Sequence, residues 1–450
     1  MSDPLADLGG GFDTVIVAAP DIQGRLIGRR VPADTLDVVA SEGVSVCTCV
    51  YGWDIAQSVD LLAGGDLPYT GMHNGMGDFL LMPDLATLRA ATWLDRSAIV
   101  LADSVELDGT PTAVAPRTIL RRQLDRLAER GLTASVGTEL EYYLFHGTPR
   151  ELHDADYRGL RPTTVRPADF SIAEGDSLEG FLADLRRRLA GADVAVEASQ
   201  VEWGLGQIET TLVHCDPLAM ADRHVLYKLA VRNRAAANAM TATFMAKPVD
   251  DQPGSSCHVH LSLTAADDTP VFWDVGAPGH RSDVLHHAIG GVLAHAPELM
   301  AWYAPTINSY RRTRSKDAAG WGQTWGVDHR FVSVRVVGHA PRSLRLEFRL
   351  PGADTNPYLT LAGVLASVID GIDARTQPGP PVEGNPFDID PDAMPQHLGA
   401  AAELFAGSDW LRSTFGTDVV DHHATLARFE WSQFLDRVTD WERRRYFDGV

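Results

Sequence analysis

Cysteine is scarce. Only Cys47, Cys49, Cys215 and Cys257 occur in 450 residues, and no two are spaced as CxxC. Zinc-cluster and thioredoxin-type readings lose their basis, and four unpaired thiols suit a reducing compartment. Basic charge is also short: 39 Lys and Arg stand against 60 Asp and Glu, a formal net charge of −21. Nucleic acid and anionic membrane both demand a basic surface, so neither is an expected partner. Anionic small molecules are not excluded, because a local arginine cluster can oppose the global sign. No uninterrupted apolar run reaches the ~20 residues that cross a bilayer. The start, Met-Ser-Asp-Pro, has no basic stretch ahead of an apolar one, so no secretory leader is expected. No GxGxxG opens a helix, and there is no internal repeat or low-complexity tract. The expectation is a cytoplasmic protein acting on small molecules.

What is present is an ordinary globular composition, 45% hydrophobic and 22% charged. A chain of this length buries a large core without disulfides and suggests two or three domains. Strand-like runs at 13–18, 44–50 and 99–102 predict a small, mostly β N-terminal domain, residues 1–107. A Pro-punctuated linker, Pro111 to Pro116, leads into a larger domain, 108–450. Leu120, Leu124 and Leu127 follow helical period; Leu132–Val136 and Glu139–Phe145 read as strands. Further helices carry Leu178, Phe181, Leu182, Leu185 and Leu189, and run from near Asp216 to about Met240. Residues 374–396 read as a loop, and the tail from Ala400 as helical. The class is α+β.

Five polar signatures interrupt or flank strand-like runs. Glu139-Leu-Glu141 aims two carboxylates at one face, since i and i+2 on a strand point the same way. Glu202 and Glu209 bracket the bend Gly204–Gly206. His258-Val-His260 is a second i, i+2 pair, and Arg345, Glu347 and Arg349 share one face of a third strand. Arginines at 312, 330 and 335 complete the set. Taken singly, each is ordinary: an ExE is usually a solvated face, an HxH a surface pair, an arginine a salt-bridge partner. Together they supply carboxylates and imidazoles suited to Mg²⁺ or Mn²⁺ and guanidinium forks suited to phosphate and carboxylate. Metals plus arginines is what phosphoryl transfer needs.

The order of these motifs resembles the glutamine synthetase family. Gly137-Thr-Glu-Leu-Glu-Tyr-Tyr-Leu-Phe145 is similar to its first glutamate motif and Gly206-Gln-Ile-Glu209 to its second. Phe244-Met-Ala-Lys-Pro248 with Cys257-His-Val-His-Leu-Ser262 resembles its ATP-side signature. Asn308-Ser-Tyr-Arg-Arg312, Arg345-Leu-Glu-Phe-Arg-Leu-Pro351 and Asn356-Pro-Tyr358 follow in order, and Gly77-Asp-Phe79 and Met82-Pro-Asp84 extend the likeness into the N-terminal domain. The resemblance covers nearly the whole chain. It implies a β-grasp-like N-terminal domain and a catalytic domain of antiparallel sheet plus helices. It also implies a homo-oligomer, possibly a dodecamer, whose active sites lie between subunits.

The resemblance further implies two divalent cations, Mg²⁺ or Mn²⁺, and ATP as co-substrate. Glu141, Glu202 and Glu209 match the ligands of one metal; Glu139, His258 and Glu347 match those of the other. His260 and Ser262 match ATP-side positions, with Arg335, Arg342 and Arg345 toward the nucleotide phosphates. Arg312, on the α-carboxylate of the substrate, Arg330 and Arg349 are the expected catalytic arginines; Gly254 is placed with Arg312 and Arg330 at the substrate. The implied reaction turns glutamate and ATP into an acyl phosphate, which an amine converts to an amide.

The chain departs from the family where the amine would bind. Ammonia-using members carry a flap glutamate followed by Ala-Pro; here 313–320 reads Thr-Arg-Ser-Lys-Asp-Ala-Ala-Gly, which places Ala318 at that position with Asp317 beside it. The ammonium-site aspartate is replaced by the segment Tyr51-Gly-Trp-Asp54. Pro253-Gly254 stands where the family has Asn-Gly before the histidine pair. With metal and phosphate sets intact, a changed amine is the simplest reading: ethanolamine, a polyamine or a similar organic amine. Trp325-Gly-Val-Asp-His-Arg330 points to the relatives that use such amines. Glutamine synthesis from ammonia, a ligase with another acid and a non-catalytic homologue are the alternatives.

Overall fold

Alternation in the strand Leu132–His146 organises the larger part of the molecule, which is described from a computed structural model covering residues 4–315, 320–390 and 394–450. Val136, Leu140, Tyr142 and Leu144 face one way and are buried in the main core. Thr138 Oγ1 reaches Met220 Sδ, and Tyr142 lies edge-on to Tyr227, both on the helix Pro217–Ala237. Glu139 and Glu141 face the other way. The period of two therefore separates an apolar face, covered by helices, from a face carrying acids. Each fully buried aliphatic or aromatic side chain stabilises this layering by about 1.5–3 kcal/mol. The sequence pattern reads as two strands here; the structure has one, because Gly137 and Thr138 stay in register opposite His260 and Val259.

This strand is central in a nine-stranded sheet. On one side lie, in order, Cys257–Ala265, Arg345–Phe348, Val334–Val337 and Trp325–Val327; on the other, Gln207–Leu212 and then Val196–Val201. Met240–Thr243 and Arg161–Pro162 pair with its far end. The pairings are antiparallel except that of Trp325–Val327 with Val334–Val337.

The apolar helix Pro357–Ala374 has the length and composition to cross a membrane, but most of it is buried inside the fold. It packs on the helix Asp283–Tyr303 at unusually close range. A Cβ on Gly291 would stand 2.0 Å from the Ser367 carbonyl oxygen and 2.7 Å from Gly371 Cα, so both glycines are needed for that approach.

The N-terminal sheet is built from residues 14–105. Thr14–Pro20 pairs antiparallel with Leu26–Pro32 on one side and parallel with Ser97–Val105 on the other, followed by Asp78–Pro83 and Val44–Cys47. This arrangement is compatible with a β-grasp-like domain. The strand expected over 44–50 stops at Cys47, where the thiol accepts the Cys49 N–H at 3.2 Å and starts a 3₁₀ turn, Thr48–Tyr51. Polar joints hold this sheet to the rest, among them the following two. Asn356 Nδ2 donates to the carbonyls of Asp21 and Ile22, each at 3.0 Å. Arg117, only 2% exposed, reaches Asp84 at 2.8 Å, Asp222 at 3.1 Å and also Asp103.

Candidate active site

Cross-strand register assembles the site. Gln200, Glu209 and Glu141 stand opposite one another on three adjacent strands, Glu139 stands opposite His258, and Arg335, Glu347 and His260 form a row on the next three. Because these residues share one sheet face, positions up to 208 apart in sequence meet (139 to 347). His258 Nδ1 lies 3.2 Å from Glu139 Oε2 and 3.6 Å from Glu347 Oε1. His260 Nε2 lies 2.9 Å from the other Glu139 oxygen, while its Nδ1 accepts the Arg345 Nε–H at 3.0 Å. Glu347, 1% exposed, is clamped by Arg335 at 3.0 Å and by Arg349.

The second row is set by amides. Gln207 Nε2 donates to Glu141 Oε2 at 2.8 Å and to the Gly254 carbonyl at 3.1 Å; the Ser256 N–H donates to the same Glu141 oxygen at 3.0 Å. Gln200 Nε2 donates to Glu209 at 2.8 Å and to Glu202 at 3.4 Å. Glu202 follows directly after the strand Val196–Val201, at the bend that returns to Gln207.

The charges are crowded. Burial, then Glu141 and Asp169, push the Glu202 carboxyl up to about 8. Burial, then Glu139, Glu141 and Glu202, raise Glu209 well above the carboxylate range. On the other side burial is outweighed: the imidazoles of His258 and His260 hold Glu139 well below it, and Arg349 holds Glu347 down. Burial and Arg349 lower His258. Carboxylates kept this close and this buried repel one another unless a cation lies among them.

The donor set fits a divalent cation. Glu139, Glu209 and His258 have ligand atoms within 4.8 Å of one another, as do Glu139, His260 and Glu347. His258 Nε2 is buried with no hydrogen-bond partner, as an imidazole awaiting a metal would be. These groupings differ from the sets implied by resemblance, since Glu139 joins both and His260 stands with Glu347.

The remaining expected residues divide. Gly254 is in the site: its carbonyl meets Gln207, and a Cβ there would stand 2.6 Å from Arg312 Cγ. Ser262 lies on the same strand as His258 and His260, opposite Ser135. Arg330 is exposed. Arg342 sits in the turn before the strand Arg345–Phe348 and pairs with Asp268 at 2.6 Å, both side chains exposed. Arg312 is 1% exposed and its donors are taken by Ser256 Oγ at 2.8 Å, the Arg349 carbonyl at 3.0 Å and the Leu350 carbonyl at 2.8 Å. Asp54 lines a separate cavity. Asp317 and Ala318, the flap positions, lie outside the described residues.

Sequence reasoning missed Gln200, Gln207 and Asp169. Gln207 is two residues before Glu209 on one strand, so the same i, i+2 rule that found Glu139 and Glu141 could have found it. Gln200, two residues before Glu202, carries the same signal, and register sets it opposite Glu209; Asp169 carries none, and a bond from the Phe170 N–H to the Val201 carbonyl at 3.1 Å brings it beside Glu202.

Residues 113–446 match the glutamine synthetase catalytic domain. Over 98% of its length the chain is 40% identical to a gamma-glutamylethanolamide synthetase of Streptomyces coelicolor, covering 94% of that protein. It is 35% identical, again over 98% of its length, to a glutamate–isopropylamine ligase of a Pseudomonas species, covering 96% of it. Among solved structures, a GmaS/ADP complex superposes with a TM-score of 0.85 at 25% identity, covering 99% of both chains.

Proposed function

Because this chain belongs to the glutamine synthetase family and is an ATP-dependent ligase, we propose that it joins glutamate to a primary organic amine, forming a γ-glutamyl amide. The observation that carries this reading is the face of five acids and two imidazoles beside buried arginines, with the two relatives above named for organic amines. A γ-carboxylate oxygen of glutamate attacks the γ-phosphorus of ATP, and ADP leaves. The amine nitrogen then attacks the acyl carbon; the carbon–oxygen bond to phosphate breaks, and the amine sheds its proton.

In this reading Glu141, Glu202 and Glu209 hold one cation, and Glu139, His258 and Glu347 hold the other, with His260 adjoining it. Mg²⁺ or Mn²⁺, when bound, supplies the positive charge that neutralises the phosphates of ATP. Arg335, Arg345, His260 and Ser262 face the nucleotide side, and Arg349 the transferred phosphoryl group. Arg312 takes the α-carboxylate of glutamate by exchanging its bond to Ser256 Oγ, since a carboxylate is the stronger acceptor. Gly254 leaves room for that exchange, and exposed Arg330 adds charge at the entrance. Gln207, Gln200 and Ser256 orient the acids. The division into 1–107 and 108–450 belongs to the same reading, as does a homo-oligomer in which a neighbour's N-terminal domain closes the site.

The test is ADP release with glutamate and Mg²⁺ against ammonia, ethanolamine, isopropylamine, putrescine and spermidine. An organic amine should outpace ammonia. Faster turnover with ammonia than with every organic amine would point to glutamine synthesis and overturn the proposal.

A further inference from the structure

A cavity of about 330 Å³ lies apart from the acid cluster. It lies where the N-terminal sheet and the helices Pro217–Ala237, Pro357–Ala374 and Thr417–Leu435 meet. None of the acids or imidazoles of the active-site face lines it. Its volume falls in the range of small-molecule sites.

Its lining carries both signs of charge: Arg25, Lys228 and Arg232 against Asp54, Asp354 and Glu430, with Arg25 held by Asp21 and Asp354 by Thr306 and Ser309. Lys228 Nζ stands 5.0 Å from the centre of the Phe244 ring and the Arg232 guanidinium 5.2 Å. Among the described residues, Arg232 has no carboxylate within ion-pair reach. Glu430 stands beside Asp54, and burial together with that neighbour raises its carboxyl. Among the described residues Glu430 likewise has no ion-pair partner. The two unpaired groups do not meet each other. Apolar wall is contributed by Leu359 and Leu426, among others. Charges left half-desolvated without partners cost free energy that an occupant of opposite pattern would recover.

We infer that this cavity is a second binding site, for a small zwitterion with an apolar body. Its carboxylate would meet Arg232 and Lys228, its ammonium group Asp54 and Glu430, and its hydrocarbon part Leu359 and Leu426. A purely anionic ligand leaves Asp54 and Glu430 facing it, and a purely cationic one leaves Arg232.

Isothermal titration of the full-length protein with L-leucine, L-methionine and L-phenylalanine tests this. At least one should bind saturably. Isoamylamine and 4-methylpentanoate, each keeping only one of leucine's charges, should bind at least about ten-fold more weakly than leucine, one decade being 1.4 kcal/mol. Arg232→Met and Glu430→Gln should each weaken zwitterion binding by at least about ten-fold, with basal ADP release unchanged. Absence of heat with all three amino acids up to about 10 mM, or equal affinity for the single-charge analogues, overturns the inference. So does binding that survives both cavity variants but is lost in Glu141→Gln, which would place the ligand at the acid cluster.

Discussion

Gln207 donates its side-chain amide to Glu141 Oε2 at 2.8 Å from two positions ahead of Glu209 on the same strand. One neutral residue thus aims an acid on the neighbouring strand while its own strand supplies another. Glu141 has one further donor on that oxygen, the Ser256 N–H. Gln207→Leu should therefore loosen Glu141 without removing any acid, and lower divalent-cation affinity by about 10–100-fold. Titration of Mn²⁺ into chelator-treated protein measures this; unchanged affinity would make Gln207 structural only.

Glu347 is buried between Arg335, Arg349 and His258. Glu347→Gln removes the charge and keeps the shape. ADP release should fall by about 10²–10³-fold, the scale of losing one buried electrostatic contact in a transition state. A circular-dichroism spectrum like the wild type's would show that the fold is kept. Activity within a few-fold of wild type would remove Glu347 from the site.

Burial and three neighbouring acids raise Glu209. In metal-free protein that crowding opposes folding, so Glu209→Gln should stabilise the chelator-treated enzyme by on the order of 1 kcal/mol, the worth of a carboxyl shift of one pH unit. The same variant should lose most of the rise in melting temperature that Mg²⁺ or Mn²⁺ gives the wild type. Thermal unfolding with and without cation checks both.

Arg117 carries the joint between the two sheets' domains, on Asp84, Asp103 and Asp222, with the Tyr358 hydroxyl donating to Asp222 at 2.7 Å. Arg117→Met leaves Asp222, itself buried, without its cation. The cost should be about 3–5 kcal/mol, read from denaturant unfolding. A cost below about 1 kcal/mol would show that the joint behaves like a surface ion pair.

His422, on the helix Thr417–Leu435, donates its Nε2–H to the Tyr51 carbonyl at 2.8 Å, and burial pushes its imidazole down to about 4. The unfolded chain takes up a proton near pH 6.5, while the folded chain resists until about 4. More protons are bound when unfolded in that window, so stability is full above about 6.5 and falls as pH drops toward 4. His422→Gln should flatten that fall in melting temperature, though buried His423, also lowered, will leave part of it.

The sequence by itself determined which residues could carry the chemistry, and which family they belong to. Period-two patterning put Glu139 with Glu141 and His258 with His260, because on a strand side-chain direction follows from position alone. Helical period located Pro116–Ala128, Glu179–Gly191 and Pro217–Ala237, but not the two core helices Asp283–Tyr303 and Pro357–Ala374, whose apolar residues run all round and leave no polar face to mark the period. Tertiary structure decided how the pairs meet. Strand order and register set Glu139 against His258, Glu209 against Glu141, and Glu347 beside His260, and nothing local encodes which strand neighbours which. Register also recruited Gln200, opposite Glu209. The physical reason is that cross-strand pairing is a long-range choice, made by burying the apolar face of the whole sheet at once. The polar face then takes whatever neighbours that burial dictates.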